Sequence, residues 1–200
     1  MRGRDIKRYG YDWAGLYLIA TFPSKKYNIE DLPAIKNHLL SFGKERLEQT
    51  GKKYNGFTAR KKTNNKWFET QDSISYWDDF FKPKIVYREI GFEMDACKLD
   101  AGIFINNKLY MVVGEKLDFL LLFFNSSLFN KIILQSANIT GGKGIDFMAK
   151  VKCIIPDEMQ LKRASELILP KFDDKTKDDF INQLYNLSSE EIAFIENNVR

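Results

Sequence analysis

Successive side chains from Lys84 to Glu89 point to opposite sides if the chain is extended. Ile85, Tyr87 and Glu89 fall on one side of an extended chain, and Lys84, Val86 and Arg88 on the other. The pattern predicts a half-buried strand with a basic outer row. Pro83 belongs at its start, because proline has no amide hydrogen for a ladder. The run Asp12–Phe22, with Trp13, Leu16, Tyr17, Leu18, Ile19 and Phe22, predicts another strand, stopped by Pro23 and Ser24. Leu32, Ile35, Leu39 and Leu47 recur near one face of a helix over 31–50. Asp31 is its cap, Pro33 sits in its first turn and Gly51 ends it.

Farther on, residues 102–113 read as a hairpin, with Ile103–Ile105 as one arm, Asn106-Asn107 as the turn and Leu109–Val113 as the other arm. Residues 117–134 are too long and leucine-rich for a strand and predict one deeply buried helix. Its polar notch, Asn125-Ser126-Ser127, suits packing against backbone inside the domain. A glycine turn at 140–144 leads into a strand over Phe147–Ile155. Asp157 with Gln160 forms a capping-box pattern for a helix over 158–168. Pro170 and the polar run Lys171–Asp179 interrupt the chain before a short helix, Phe180–Tyr185. Ser188 with Glu191 makes a second capping box, and Leu187 with Ile192 has hydrophobic-staple spacing, for a last helix over 189–198. Together these elements predict an α+β fold. A mixed, mostly antiparallel sheet packed with helices occupies 1–156, and a small helical annex occupies 157–200.

Composition narrows this only slightly. Two hundred residues suit one domain with a small appendage, and an apolar content of 44% with 14% aromatic supplies its core. A net charge of +4 admits a nucleic-acid partner without requiring one. Cys97 and Cys153 lie far apart and share no ligand spacing with the single histidine, His38, which reads as a surface residue of its helix. The cysteines therefore read as small buried hydrophobes in a reducing compartment, with no disulfide framework and no zinc site. The most apolar run, Leu117–Phe124, falls far short of the roughly twenty residues that span a membrane. The first ten residues are charged and aromatic, unlike a signal peptide. A cytoplasmic protein with no membrane partner is expected.

Charge placement changes the picture more. The segment GKKYNGFTARKKTNNK, residues 51–66, holds Lys52, Lys53, Arg60, Lys61, Lys62 and Lys66 with no acidic residue. Asn55, Asn64 and Asn65 add hydrogen-bonding groups and turn chemistry, and Tyr54 and Phe57 add aromatic faces. Lysine and arginine reach phosphates and guanine edges, and asparagine pairs with adenine in the major groove. A solvated basic loop is the alternative for a segment distinguished by charge alone.

Catalytic chemistry is scarcely legible. Pro156-Asp157 followed by Asp173-Asp174-Lys175 resembles the metal-binding pattern of PD-(D/E)xK nucleases, in which carboxylates hold magnesium and a lysine assists water. Here, however, the second acidic pair falls in a polar run between helices, and Asp157 already serves as a cap. One histidine on a helix face supports no Ser/His/Asp arrangement. The glycines at Gly141, Gly142 and Gly144 match no phosphate-binding spacing, so Lys143 among them belongs to a flexible cationic turn.

Four stretches occur in a telling order: RGRDIKRY (Arg2–Tyr9), WFETQDSISYWDDFFKPKIVYREI (Trp67–Ile90), FFNSSL (Phe123–Leu128) and YNLSSEEIAFIE (Tyr185–Glu196). Together they resemble the C-terminal target-recognition domain of type IIG restriction–modification enzymes and of TaqI-like adenine-specific DNA methyltransferases, over nearly the whole chain. The resemblance implies a domain over 1–156 that reads a short duplex DNA sequence. An upstream domain of the same polypeptide would bind S-adenosylmethionine and modify adenine, with or without a Mg2+-dependent nuclease. This chain has no Asn-Pro-Pro run and no cofactor glycine motif, so an excised specificity domain without its own cofactor or catalytic residues is expected. The expected DNA contacts are Lys52, Lys53, Lys61, Lys62, Lys66 and Lys84 on phosphates, Arg60, Arg88, Asn64 and Asn65 on base edges, and Lys143 as a further DNA-binding residue. Lys84 and Arg88 would flank the basic loop, on a strand that otherwise serves as scaffold. A stand-alone nuclease using Asp157, Asp173 and Lys175, and a protein-interaction domain with an incidental basic loop, remain the alternatives.

Overall fold

The structure, a computed structural model, describes residues 1–136, 145–146 and 174–197. The chain divides into two compact units: Met1–Leu16 together with Asp78–Arg200, and Tyr17–Trp77, which is inserted between them in sequence.

The first unit is built around β5 (Lys84–Arg88). It is the central strand of an antiparallel sheet, between β7 (Ala96–Leu99) and β8 (Leu109–Val112). The alternation sorts its side chains as expected, but both faces are covered. Ile85 and Tyr87 join a core with Phe123, Phe124 and Phe129. Val86 joins Ile6, Cys97, Leu99 and Leu109 in a second core. The outer row therefore does not face solvent: Lys84 is 0% exposed. Pro83 precedes the strand, where its missing donor breaks no ladder bond.

The N-terminal segment covers that second face. β1 (Ile6–Lys7) pairs with β2 (Gly10–Tyr11) through a turn in which Tyr9 takes φ 62. The Tyr9 amide donates to the Ala96 carbonyl. Arg2 grips the buried Asp5 through Nε and Nη2, and this contact holds the Asp5 carboxyl below its usual range. The 103–105 segment forms no hairpin arm. Instead Asn106 N–H donates to the Met1 carbonyl, and β8 pairs with β5. The Asn106 turn itself is present, since the Leu109 amide returns to the Asn106 carbonyl.

The predicted single helix over 117–134 is two, α3 (Leu117–Phe124) and α4 (Ser127–Ser136), broken at the polar notch. Asn125 Oδ1 accepts from the Ala96 amide at 2.9 Å, and its Nδ2 donates to the Ala96 carbonyl at 2.9 Å. The notch thus pairs with backbone inside the domain, as its polarity predicts. A short pair joins β6 (Ile90–Gly91) to β9 (Ile145–Asp146).

The polar run before Phe180 is helical from Asp174 onward: α5 (Asp174–Leu184) is longer than the expected Phe180–Tyr185 helix. Its Ile181 and Leu184 enter the main core, which requires a helix long enough to seat them. α6 (Ser189–Glu196) starts at the expected capping box. Ser188 Oγ accepts from the Glu191 amide, and Glu191 Oε2 accepts from the Ser188 amide at 2.8 Å. These helices form the annex of a mixed α+β fold. The glycine turn 140–144, the strand over Phe147–Ile155 and the helix over 158–168 lie outside the described residues, apart from the two residues of β9.

In the inserted unit the expected long helix is interrupted. α1 (Pro33–Leu40) and α2 (Lys44–Leu47) flank Gly43, whose φ of 88 a non-glycine residue rarely adopts. Asp31 ends a short 3-10 turn capped by Asn28, and Leu32 precedes α1. His38 is exposed, as read. The strand expected over Asp12–Phe22 is absent. Gly15 turns the chain at φ 68, and Trp13, Leu16, Tyr17 and Leu18 are exposed. No helix among the described residues is long and apolar enough to cross a membrane.

Candidate nucleic-acid interface

The basic segment of the inserted unit folds as a hairpin followed by a pinned loop. β3 (Lys53–Tyr54) pairs with β4 (Phe57–Thr58) across the two-residue turn Asn55-Gly56. Asparagine–glycine is the strongest short hairpin signal, and Gly56 takes φ 87. The ladder continues below it: the Ala59 amide donates to the Lys52 carbonyl at 2.9 Å, and the Gly51 amide to the Arg60 carbonyl at 2.8 Å. The Tyr54 and Phe57 rings stack with centroids 4.9 Å apart, and the Arg46 guanidinium of α2 lies 5.1 Å from the Phe57 centroid.

Buried polar side chains then fix the return loop. Gln49 is 5% exposed; its Nε2 donates to the carbonyls of Lys66 and Glu69, and its Oε1 accepts from Thr63 Oγ1. The Glu69 carboxylate accepts the Lys66 amide at 2.7 Å, and Thr21 Oγ1 donates to the Phe68 carbonyl. A buried polar group left unpaired is costly, so a satisfied set like this one specifies a single loop shape. The sequence reading missed this set; its only local signal is polar residues amid aromatic ones.

The predicted contact residues separate into two groups. Lys52, Lys53, Lys61, Lys62, Asn64 and Lys66 are exposed. The ladder sets Lys53 opposite Thr58 and Lys52 opposite Ala59, and a side chain at Gly51 would meet Lys62 Cβ at 3.7 Å. Lys66 Nζ sits 5.7 Å from the Phe68 ring centroid.

The second group is tied to backbone. Arg60 donates through Nε to the Leu47 carbonyl and through Nη2 to the Trp67 carbonyl, and burial lowers its pKa. Asn65 Nδ2 donates to the carbonyls of Thr70 and Gln71. In the first unit, Lys84 Nζ donates to the carbonyls of Phe80 at 2.9 Å and Asp100 at 3.1 Å. Burial lowers the Lys84 pKa, against the opposing pull of Asp100. Arg88 donates to the carbonyls of Gly3 and Ile6 and pairs with Asp95 at 2.8 Å, which links the first resembling stretch to the second. Lys143 lies outside the described residues.

No group of three or more His, Cys, Asp or Glu side chains among the described residues is placed to hold a metal ion. The buried Cys97 thiol is pushed up to about 12 by desolvation, far from a nucleophilic thiolate at neutral pH. Asp157, Asp173 and the Lys175 side chain lie outside the described residues.

No curated protein matches the chain. The model of the TaqI-like C-terminal specificity domain, by contrast, matches residues 1–150. That span takes in the Arg88-stapled N-terminus, the inserted basic hairpin and the Asn125 notch. The chain belongs to the family of TaqI-like C-terminal specificity domains.

Proposed function

We propose that this domain reads a short duplex DNA sequence and holds the duplex for a catalytic domain on the same polypeptide, in keeping with the DNA target-recognition role of its family. The observation that carries this reading is the exposed set Lys52, Lys53, Lys61, Lys62 and Lys66, mounted on a hairpin and loop fixed by buried polar bonds. Lysines arranged so neutralise phosphates and set the register, and Asn64 is free to meet a base edge. Arg60 and Asn65 serve DNA by shaping the loop, and Lys84 and Arg88 by bracing the sheet. Lys143 joins the phosphate-contacting set on its charge.

The partner domain is an S-adenosylmethionine-dependent adenine methyltransferase, with or without a Mg2+-dependent nuclease, working in the cytoplasm. This chain supplies positioning, so that the target adenine leaves the stack and enters the partner's pocket.

A salt titration of duplex binding tests the reading. Replacing Lys61 and Lys62 by alanine is expected to weaken binding and to flatten the dependence of log K on log salt by roughly 1 per lost phosphate contact. Unchanged affinity and slope would remove these lysines from the interface. No affinity of the unsubstituted chain at low salt would leave the protein-interaction domain as the better reading.

A further inference from the structure

We propose that the β3–β4 hairpin is the element that enters the major groove, with Asn55 at its tip reading a base edge; this rests on the DNA-reading role above and names its agent. The major groove admits an α-helix or a two-stranded ribbon. In the inserted unit α2 is a single turn, and the one lysine of α1, Lys36, pairs with Glu30 at 2.6 Å. The hairpin lies within the carboxylate-free stretch from Gly51 to Phe68, which carries Lys52, Lys53, Arg60, Lys61, Lys62 and Lys66.

Its tip stands clear, because a side-chain carbon built at Gly56 meets nothing within 4 Å. Asn55 is exposed there. The shaft is stiff. The Tyr54–Phe57 stack ties its two strands together, and the Arg46 guanidinium and the Arg60 bonds to the Leu47 and Trp67 carbonyls anchor it. A stiff ribbon loses little freedom on binding, and the asparagine amide offers a donor and an acceptor side by side, the pattern that adenine N7 and N6 complement. The exposed Lys53 on the shaft and Lys52, Lys61 and Lys62 below it are available for the phosphates that flank a groove.

Selection from a pool of randomised duplexes by the full chain tests this. The unsubstituted chain is expected to enrich a short consensus. Asn55→Ala should keep the salt-dependent affinity and the melting temperature yet lose preference at one position, with affinity for the favoured duplex down on the order of tenfold. Asn55→Asp keeps the turn preference but replaces the amide donor with a carboxylate, and should lose the same position. A consensus unchanged in both variants would overturn the hairpin as the reader while leaving DNA reading intact. No consensus from the unsubstituted chain would instead overturn the proposed function, and this inference with it.

Discussion

Asn125 does for β7 what a further strand would do. Its amide mimics a peptide group, meeting both the N–H and the C=O of Ala96, while Asn130 Oδ1 accepts from the Met94 amide at 2.7 Å. Two side chains of the FFNSSL region thereby satisfy a buried sheet edge that otherwise holds open donors. Asn125→Ala leaves the Ala96 N–H unpaired and is expected to cost about 1–3 kcal/mol, read by chemical denaturation. Asn125→Asp should be no better at neutral pH, because it turns an oxygen toward the Ala96 and Leu121 carbonyls that Nδ2 now serves. A variant as stable as the parent would show that the edge finds other partners. The notch was legible because three polar residues in an apolar helix demand an explanation. The roles of Lys84, Arg88 and Arg60 were not. Their carbonyl partners are set by the fold, and Gly3 lies 85 positions from Arg88. Sequence reports a cation's charge but not what surrounds it.

Elements with a strong period were readable, and those decided by distant partners were not. The strand at Ile85 and the capped last helix follow from local pattern. The strand expected over Asp12–Phe22 had apolar content but no fixed period, and Gly15 turns it. The two short helices in place of one over 31–50 follow from Gly43, and the break between α3 and α4 from bonds that Asn125 makes outside its own helix. The hairpin at Asn55-Gly56 was legible and passed over, because charge dominated the segment. Between elements, Asp178 of α5 receives the Ser127 amide at 2.8 Å and the Ser127 hydroxyl at 2.7 Å, at the start of α4. A carboxylate there both caps the helix and suits its dipole. Asp178→Ala should destabilise the protein by about 0.5–2 kcal/mol, and hydrogen exchange should show α5 opening earlier than β5. Equal protection of the two after the change would mean the cap does not tether the annex.

For the whole molecule, Tyr17–Trp77 is a compact unit inserted between two parts of one scaffold, and the proposed reading residues Lys52–Lys66 all lie within it. The scaffold keeps both apolar clusters, which lie outside the inserted stretch. Replacing Tyr17–Trp77 by a flexible Gly/Ser linker of about ten residues should therefore leave one cooperative unfolding transition and abolish salt-dependent DNA affinity. Retained selectivity for a DNA sequence would move reading to the scaffold. The exposed Asn55–Gly56 step also gives the molecule a clock. An asparagine followed by glycine is chemically short-lived: with no side chain in the way, the next backbone nitrogen attacks the side-chain amide carbon and ammonia leaves, and water then opens the resulting cyclic imide to an aspartate or its isomer. The feature that makes the tight turn thus ages it. An old preparation would therefore carry a negative charge at the hairpin tip that a fresh one lacks.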